Sequence, residues 1–148
     1  MPEMHARLAR RWFEEVWNQR NDGTVRELMA PGAPGHMEGM EIVGPEQFLA
    51  ARAALLDAFP DIRVTVEATV AEGDDVVVRW SARATHQGDG LGIPASRKPV
   101  SFRGMSWMHF ANGRVVEGWD SWNLGQLLQE LAAPIELGAG PAAERSAT

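Results

Sequence analysis

Along the first twenty residues apolar side chains recur at helical spacing. Met4, Leu8, Trp12 and Val16 follow a four-residue step, Phe13 and Trp17 widen the stripe, and Arg10, Glu14 and Glu15 fall opposite. The pattern predicts a helix over residues 3–20. Asn21-Asp22-Gly23 ends it, and Asp22 or Thr24 can cap a short second helix, Thr24–Ala30. The stretch PGAPG (31–35) forbids regular structure, and an extended segment over His36–Val43 follows. Gly44-Pro45 opens a third helix through Phe59, with Phe48, Leu49, Arg52, Leu55, Leu56 and Phe59 at helical spacing.

From Pro60 the period changes to two. Ile62, Val64, Val66, Ala68 and Val70 alternate with polar residues, the mark of a half-buried strand. A second strand, Val76–His86, places Val78, Trp80, Ala82, Ala84 and His86 on one face. After a Gly/Pro loop (87–99) come two more, Val100–Phe110 and Arg114–Asn123, joined by Asn112-Gly113, a strong hairpin signal. A short helix, Leu124–Leu131, closes the pattern. Helices followed by an antiparallel meander define an α+β class: one curved antiparallel sheet wrapped around the N-terminal helices. A single domain over residues 1–133 with a flexible C-terminal tail over 134–148 is expected.

Composition narrows the function classes. The net charge of −6, with acids scattered along the 148 residues, argues against a nucleic-acid partner and against a basic membrane-surface helix. No apolar run approaches the ~20 residues of a spanning helix, and the N-terminus lacks a signal-peptide core, so a cytoplasmic location is expected. Cysteine is absent, which excludes thiolate metal sites and cysteine nucleophiles. Lys98 is the one lysine among fourteen basic residues, a pattern of GC-rich, bacterial coding. Six tryptophans with no tyrosine suggest an aromatic core or an aromatic-lined pocket.

Several segments in order carry a family resemblance: RWFEEVWN (11–18), APGAPGH (30–36), AFPDIRVTVE (58–67), THQGDGLGIP (85–94), NGRVVEGWDSWN (112–123) and LLQEL (127–131). Together they resemble the SnoaL-like polyketide cyclases (ester-cyclase-like proteins), within the nuclear-transport-factor-2-like (NTF2-like) superfamily. The resemblance implies a cone-shaped fold and acid/base chemistry without a cofactor. It also implies a general acid/base aspartate near the end of the last strand. At the matching position stands Asn123, which exchanges no proton near neutral pH and only donates and accepts hydrogen bonds.

A two-residue turn at Asn112-Gly113 sets a cross-strand register. It pairs Phe110 with Val115, Met108 with Glu117, Ser106 with Trp119, Gly104 with Ser121 and Phe102 with Asn123. Phe110 and Val115 point this set inward. His109, Trp107, Met105 and Arg103 then share the outer surface with Val116, Gly118, Asp120 and Trp122. A single β-bulge in the last strand would reverse part of the assignment. On this register Glu117 is the candidate proton-transfer group, since an apolar setting raises a carboxyl pKa. His36 and His86 are candidate assistants and Asn123 a carbonyl-polarising donor; each also has a plain structural reading. Trp17, Phe59, Trp80, Ser106, Met108 and Trp119 are the candidate substrate-binding residues. No metal site is expected, because His36, His86 and Glu117 lack a metal-binding spacing. His5 reads as solvated. Met105, Trp107 and Trp122 on the outer surface predict a homodimer.

Two functions stay open: a cofactor-independent aldol-type cyclase or isomerase acting on a hydrophobic, cyclic or polyketide-like carbonyl compound, and a non-catalytic small-molecule binding protein of the same fold.

Overall fold

The period-two segments assemble into one six-stranded sheet in the computed structural model, which describes residues 2–133. The elements are α1 (Pro2–Trp12), a π-helical segment (Phe13–Asn18), α2 (Asp22–Leu28), β1 (Pro34–Met37), β2 (Met40–Val43), α3 (Gly44–Ala58), β3 (Arg63–Glu72), β4 (Asp75–Thr85), β5 (Pro99–Ala111), β6 (Arg114–Trp122) and α4 (Leu124–Ala132). The strand order is β2-β1-β6-β5-β4-β3. The fold is α+β, as the patterning predicts. The tail expected over 134–148 lies outside the described residues, and among those residues no helix is long and apolar enough to cross a membrane.

β4 buries the row the alternation predicts, with Val78, Trp80, Ala82, Ala84 and, just beyond the strand, His86 all covered. On β5, Phe102, Ser106, Met108 and Phe110 face the same way. Each fully buried Val or Phe contributes about 1.5–3 kcal/mol by leaving water, so these two interior strands hold the helices to the sheet.

Five local expectations are corrected. First, the helix over 3–20 is regular only to Trp12 and continues as a π-helix. A π turn shifts carbonyls off the usual bonding pattern. Gln19 N–H donates to Glu14 O at 2.9 Å, and the buried Arg52 reaches across from α3 to donate to Val16 O at 2.9 Å. Arg52, read in sequence as part of an apolar stripe, also pairs with Asp22. Second, α2 is capped by Asn21, whose Oδ1 accepts the Thr24 N–H at 3.3 Å. Third, the extended segment 36–43 is a tight hairpin, with Gly39 at φ 81° in its turn; β1 then pairs in parallel with β6 through Gly35–Gly118 and His36–Trp119. Fourth, β3 carries an irregularity between Val66 and Ala68 that turns Val70 outward, 71% exposed. Fifth, His5 is buried rather than solvated. Its ring stacks on Phe110 at 4.8 Å, and Nδ1 lies 3.3 Å from Gly73 O.

Candidate active site

The hairpin register holds for only two pairs. Ala111 faces Arg114 and Phe110 faces Val115, but His109 then pairs with Glu117, so Val116 is an extra residue in β6. A β-bulge flips every side chain beyond it. Met108 therefore faces Gly118, Ser106 faces Asp120 and Gly104 faces Trp122. Asp120 and Trp122, expected on the outer surface, look inward; Glu117 and Trp119, expected inside, look outward. Gly104 accommodates the change: a Cβ there would lie 2.5 Å from Trp122 Cβ and 2.7 Å from Trp80 Cζ2. A glycine in a strand interior marks such an approach.

The inward row faces a cavity of about 100 Å³ between sheet and helices. Trp12, Phe13 and Trp17 enter from α1 and the π segment, Phe48 and Leu55 from α3, and Met37 and Ile42 from the β1–β2 hairpin. Trp80, Phe102, Ser106, Met108, Asp120 and Trp122 form the sheet wall. The aromatic rings support one another: Trp12–Phe48 at 5.1 Å, Phe102–Trp122 at 5.1 Å, Trp80–Trp122 at 6.2 Å.

Asp120 is the one ionisable side chain on the described lining. Its Oδ1 accepts from Ser106 Oγ at 2.5 Å, and Ser106 Oγ accepts from Trp80 Nε1 at 3.0 Å. Burial pushes the carboxyl pKa up; the Ser106 bond opposes that rise and the nearby Glu38 charge adds to it. A carboxyl that keeps its proton to higher pH, at the wall of an apolar cavity, can serve as an acid or a base near neutrality.

Glu117 does not line the cavity. Its Oε2 lies 2.8 Å from His36 Nε2, while His36 Nδ1 lies 2.5 Å from Glu41 Oε1. The His36 ring stacks on Trp119 at 5.5 Å, and Trp119 packs edge-on against Trp107. Two carboxylates on one imidazole favour the imidazolium, so the His36 pKa is raised, chiefly by the Glu117 bond and then by Glu41. This cluster sits on the outer face of the sheet and ties β1 and β2 to β6.

The remaining candidates fall as follows. Trp17, Trp80, Ser106 and Met108 line the cavity as expected. Trp119 is also on the lining, though it is 40% exposed and stacks on His36. Phe59 is core, packed on Phe102 at 5.6 Å and on His86 at 5.8 Å. His86, 0% exposed, does not line the cavity; its Nδ1 accepts from Ser96 N–H at 3.1 Å and anchors the 87–98 loop. Asn123 accepts the Arg103 N–H at 3.3 Å and precedes α4 without a side-chain cap, also away from the cavity. Among the described residues no cluster of metal-ligating side chains converges. Asp120, Trp12, Phe13 and Trp122 are among the lining groups missed in sequence, with Met37, Ile42, Phe48, Leu55 and Phe102. Gly104 was the available signal, since glycine opposite a small serine needs no explanation and glycine opposite a tryptophan does.

The sequence matches the SnoaL-like polyketide cyclase family over residues 7–131, nearly all of the described residues, and the chain belongs to that family. Among solved structures it is similar to a protein from Jannaschia sp. CCS1 provisionally described as a SnoaL-like polyketide cyclase. The two are 28% identical, with a TM-score of 0.85 over 91% of this chain and 96% of that one. It is also similar to AclR from Streptomyces galilaeus, provisionally described as a hydroxylase (27% identity, TM-score 0.77, 88% and 97% covered). IdmH from Streptomyces antibioticus, provisionally a polyketide cyclase, gives 27% identity and a TM-score of 0.75, with 87% and 99% covered. No curated protein matches the sequence.

Proposed function

We propose that the protein is an acid/base enzyme that moves a proton on a neutral, hydrophobic carbonyl compound, with Asp120 as the proton-transfer group. The observation that carries this reading is the Asp120 carboxyl, raised in pKa by burial, on the wall of a tryptophan-rich cavity. No arginine, lysine or histidine stands on the described lining, so a free carboxylate in the substrate would meet no counter-charge and a costly desolvation. An ester or ketone suits the site. In the aldol-type reaction, ionised Asp120 takes a proton from the carbon next to a carbonyl. The enolate carbon attacks a second carbonyl of the same molecule, and the protonated Asp120 returns the proton to the new alkoxide. An isomerase would return the proton to a different carbon. Family membership and the cyclase descriptions of Jannaschia and Streptomyces relatives support this class.

The test is deuterium wash-in at the carbon beside the carbonyl of a bicyclic ketone such as 2-tetralone, followed by NMR in D2O. Wild type should catalyse exchange and Asp120→Asn should not. Equal exchange by both would remove Asp120 from the chemistry. The second reading, a binding protein without turnover, draws on the isolation of Asp120: no other lining side chain could stabilise an enolate by charge. Tight ligand binding without exchange would favour it.

The reading includes a homodimer formed through the outer sheet face. Cross-strand pairs align Val70, Val77, Trp107 and Trp119 in an apolar row, with Met105 beside it; Trp122, turned inward by the bulge, takes no part. Glu72, Asp75 and Glu117 flank the row on one side, and Arg79 and Arg103 on the other. A second copy related by a two-fold axis running along the row would set each acidic edge against a basic one.

A further inference from the structure

We propose that Trp80 and Ser106 are positioning residues forming a one-way hydrogen-bond relay that fixes which oxygen of Asp120 carries the working proton. The inference rests on the proton-transfer reading of Asp120. An indole N–H donates and never accepts. Trp80 Nε1, 3.0 Å from Ser106 Oγ, therefore occupies one lone pair of that hydroxyl. The Ser106 hydrogen then has a single acceptor among the described residues, Asp120 Oδ1 at 2.5 Å. Were Oδ1 protonated and donating to Ser106, the serine hydrogen would be stranded in a buried, apolar setting, which is unfavourable. The chain therefore runs in one direction, from Trp80 through Ser106 to Oδ1, whether Asp120 is charged or neutral.

Two consequences follow for Asp120. The exchangeable proton resides on Oδ2, which has no hydrogen-bond partner in the described residues and is not among the fully covered polar atoms. Since Asp120 lines the cavity, that oxygen is the one a substrate can meet. The relay also favours the carboxylate, and so keeps a buried acid from holding its proton too tightly. The charged groups around it are Glu38, from the β1–β2 turn, and the cluster of Glu117, His36 and Glu41 on the opposite face of β6. The described residues of α1, the π segment and α3 that line the cavity bring no other ionisable side chain.

The experiment follows the carboxyl carbon of Asp120 by NMR in ¹³C-aspartate-labelled, ligand-free protein across pH, with Asp120→Asn giving the assignment. Ser106→Ala should raise the Asp120 midpoint, because the carboxylate loses its donor. Ser106→Thr keeps the hydroxyl and should restore the wild-type midpoint. Trp80→Phe keeps an aromatic ring, though a smaller one, but frees Ser106 to accept from a protonated Oδ1; it too should raise the midpoint. It also provides the test should Ser106→Ala fail to fold. A midpoint unchanged or lowered in Ser106→Ala, or a wild-type titration in Trp80→Phe, overturns the relay. Because no substrate is present, the result stands apart from the enzyme reading, which fails separately if Asp120→Asn still exchanges ketone protons.

Discussion

Two carboxylates three residues apart on β6 have opposite surroundings. Glu117 lies on the outer face, its charge answered by His36, with Trp119 stacked on that histidine. Asp120 lies on the inner face, answered by a hydroxyl and enclosed by indoles. An ion pair on a partly exposed surface is a fastening worth little by itself. A carboxyl without a cation, held where its charged form is disfavoured, is a chemical resource kept against stability. One extra residue, Val116, decides which acid receives which environment.

The largest expected effect separates the two acids by activity. Asp120→Asn should cost roughly 10²–10⁴-fold in rate, the usual size of an acid/base contribution, while Glu117→Gln stays within a few-fold of wild type. The reverse pattern in a steady-state assay would erase the distinction between the faces. Next in size, Trp107→Glu should dissociate a dimer by placing a charge in an apolar contact, at a cost of several kcal/mol. Sedimentation should show monomers for the variant and dimers for wild type. A monomeric wild type would leave the outer tryptophans without that role.

Gly104→Ala should destabilise by about 1–3 kcal/mol, the range for overpacking, since Trp122 and Trp80 already crowd the position. A urea midpoint equal to wild type would mean the bulged register is wrong. The smallest effects concern pH. Burial raises the Asp120 pKa, so its contribution to stability is complete below the ordinary carboxylate value of about 3.9 and is lost as pH rises through the raised value. Asp120→Asn, which resembles the protonated form, should therefore be more stable than wild type at neutral pH while losing activity. His36 is also raised, by Glu117 and Glu41. Its contribution is complete below about 6.5 and fades as pH rises through the folded value. Amide exchange in β1 and β2 should quicken over that window, and His36→Gln should remove the dependence.

Much of the fold was legible because its signals are local. The inward row of β4 follows from strict alternation, and Asn112-Gly113 places the β5–β6 turn. The site was less legible because it depends on events that alternation does not record. Trp80, Ser106 and Met108 are found by parity on unbroken strands. Asp120 and Glu117 exchange places because a bulge costs the sequence one residue and no distinctive side chain. The hairpin at 34–43 hid for a similar reason, its strands being only four residues each. Gly104 shows that the missing information was partly present, as an absence of side chain whose meaning appears only when the opposite residue is known.

The π segment has a bearing on lineage and engineering. Phe13–Asn18 accommodates its chain with wider turns than an α-helix, so the backbone here carries surplus length. Were the same residues wound as a regular α-helix, at about 100° per residue, Trp12 and Trp17 would stand five residues and about 140° apart. Trp12 and Trp17, which now look into one cavity from either side of the irregularity, could then no longer both face it. The Arg52 guanidinium would also lose its carbonyl at Val16. A change of winding that most surface helices absorb would here redraw the binding chamber. Loss of one residue between Trp12 and Trp17 would instead bring them to four-residue spacing, so a relative one residue shorter here should wind regularly and keep both rings facing the chamber.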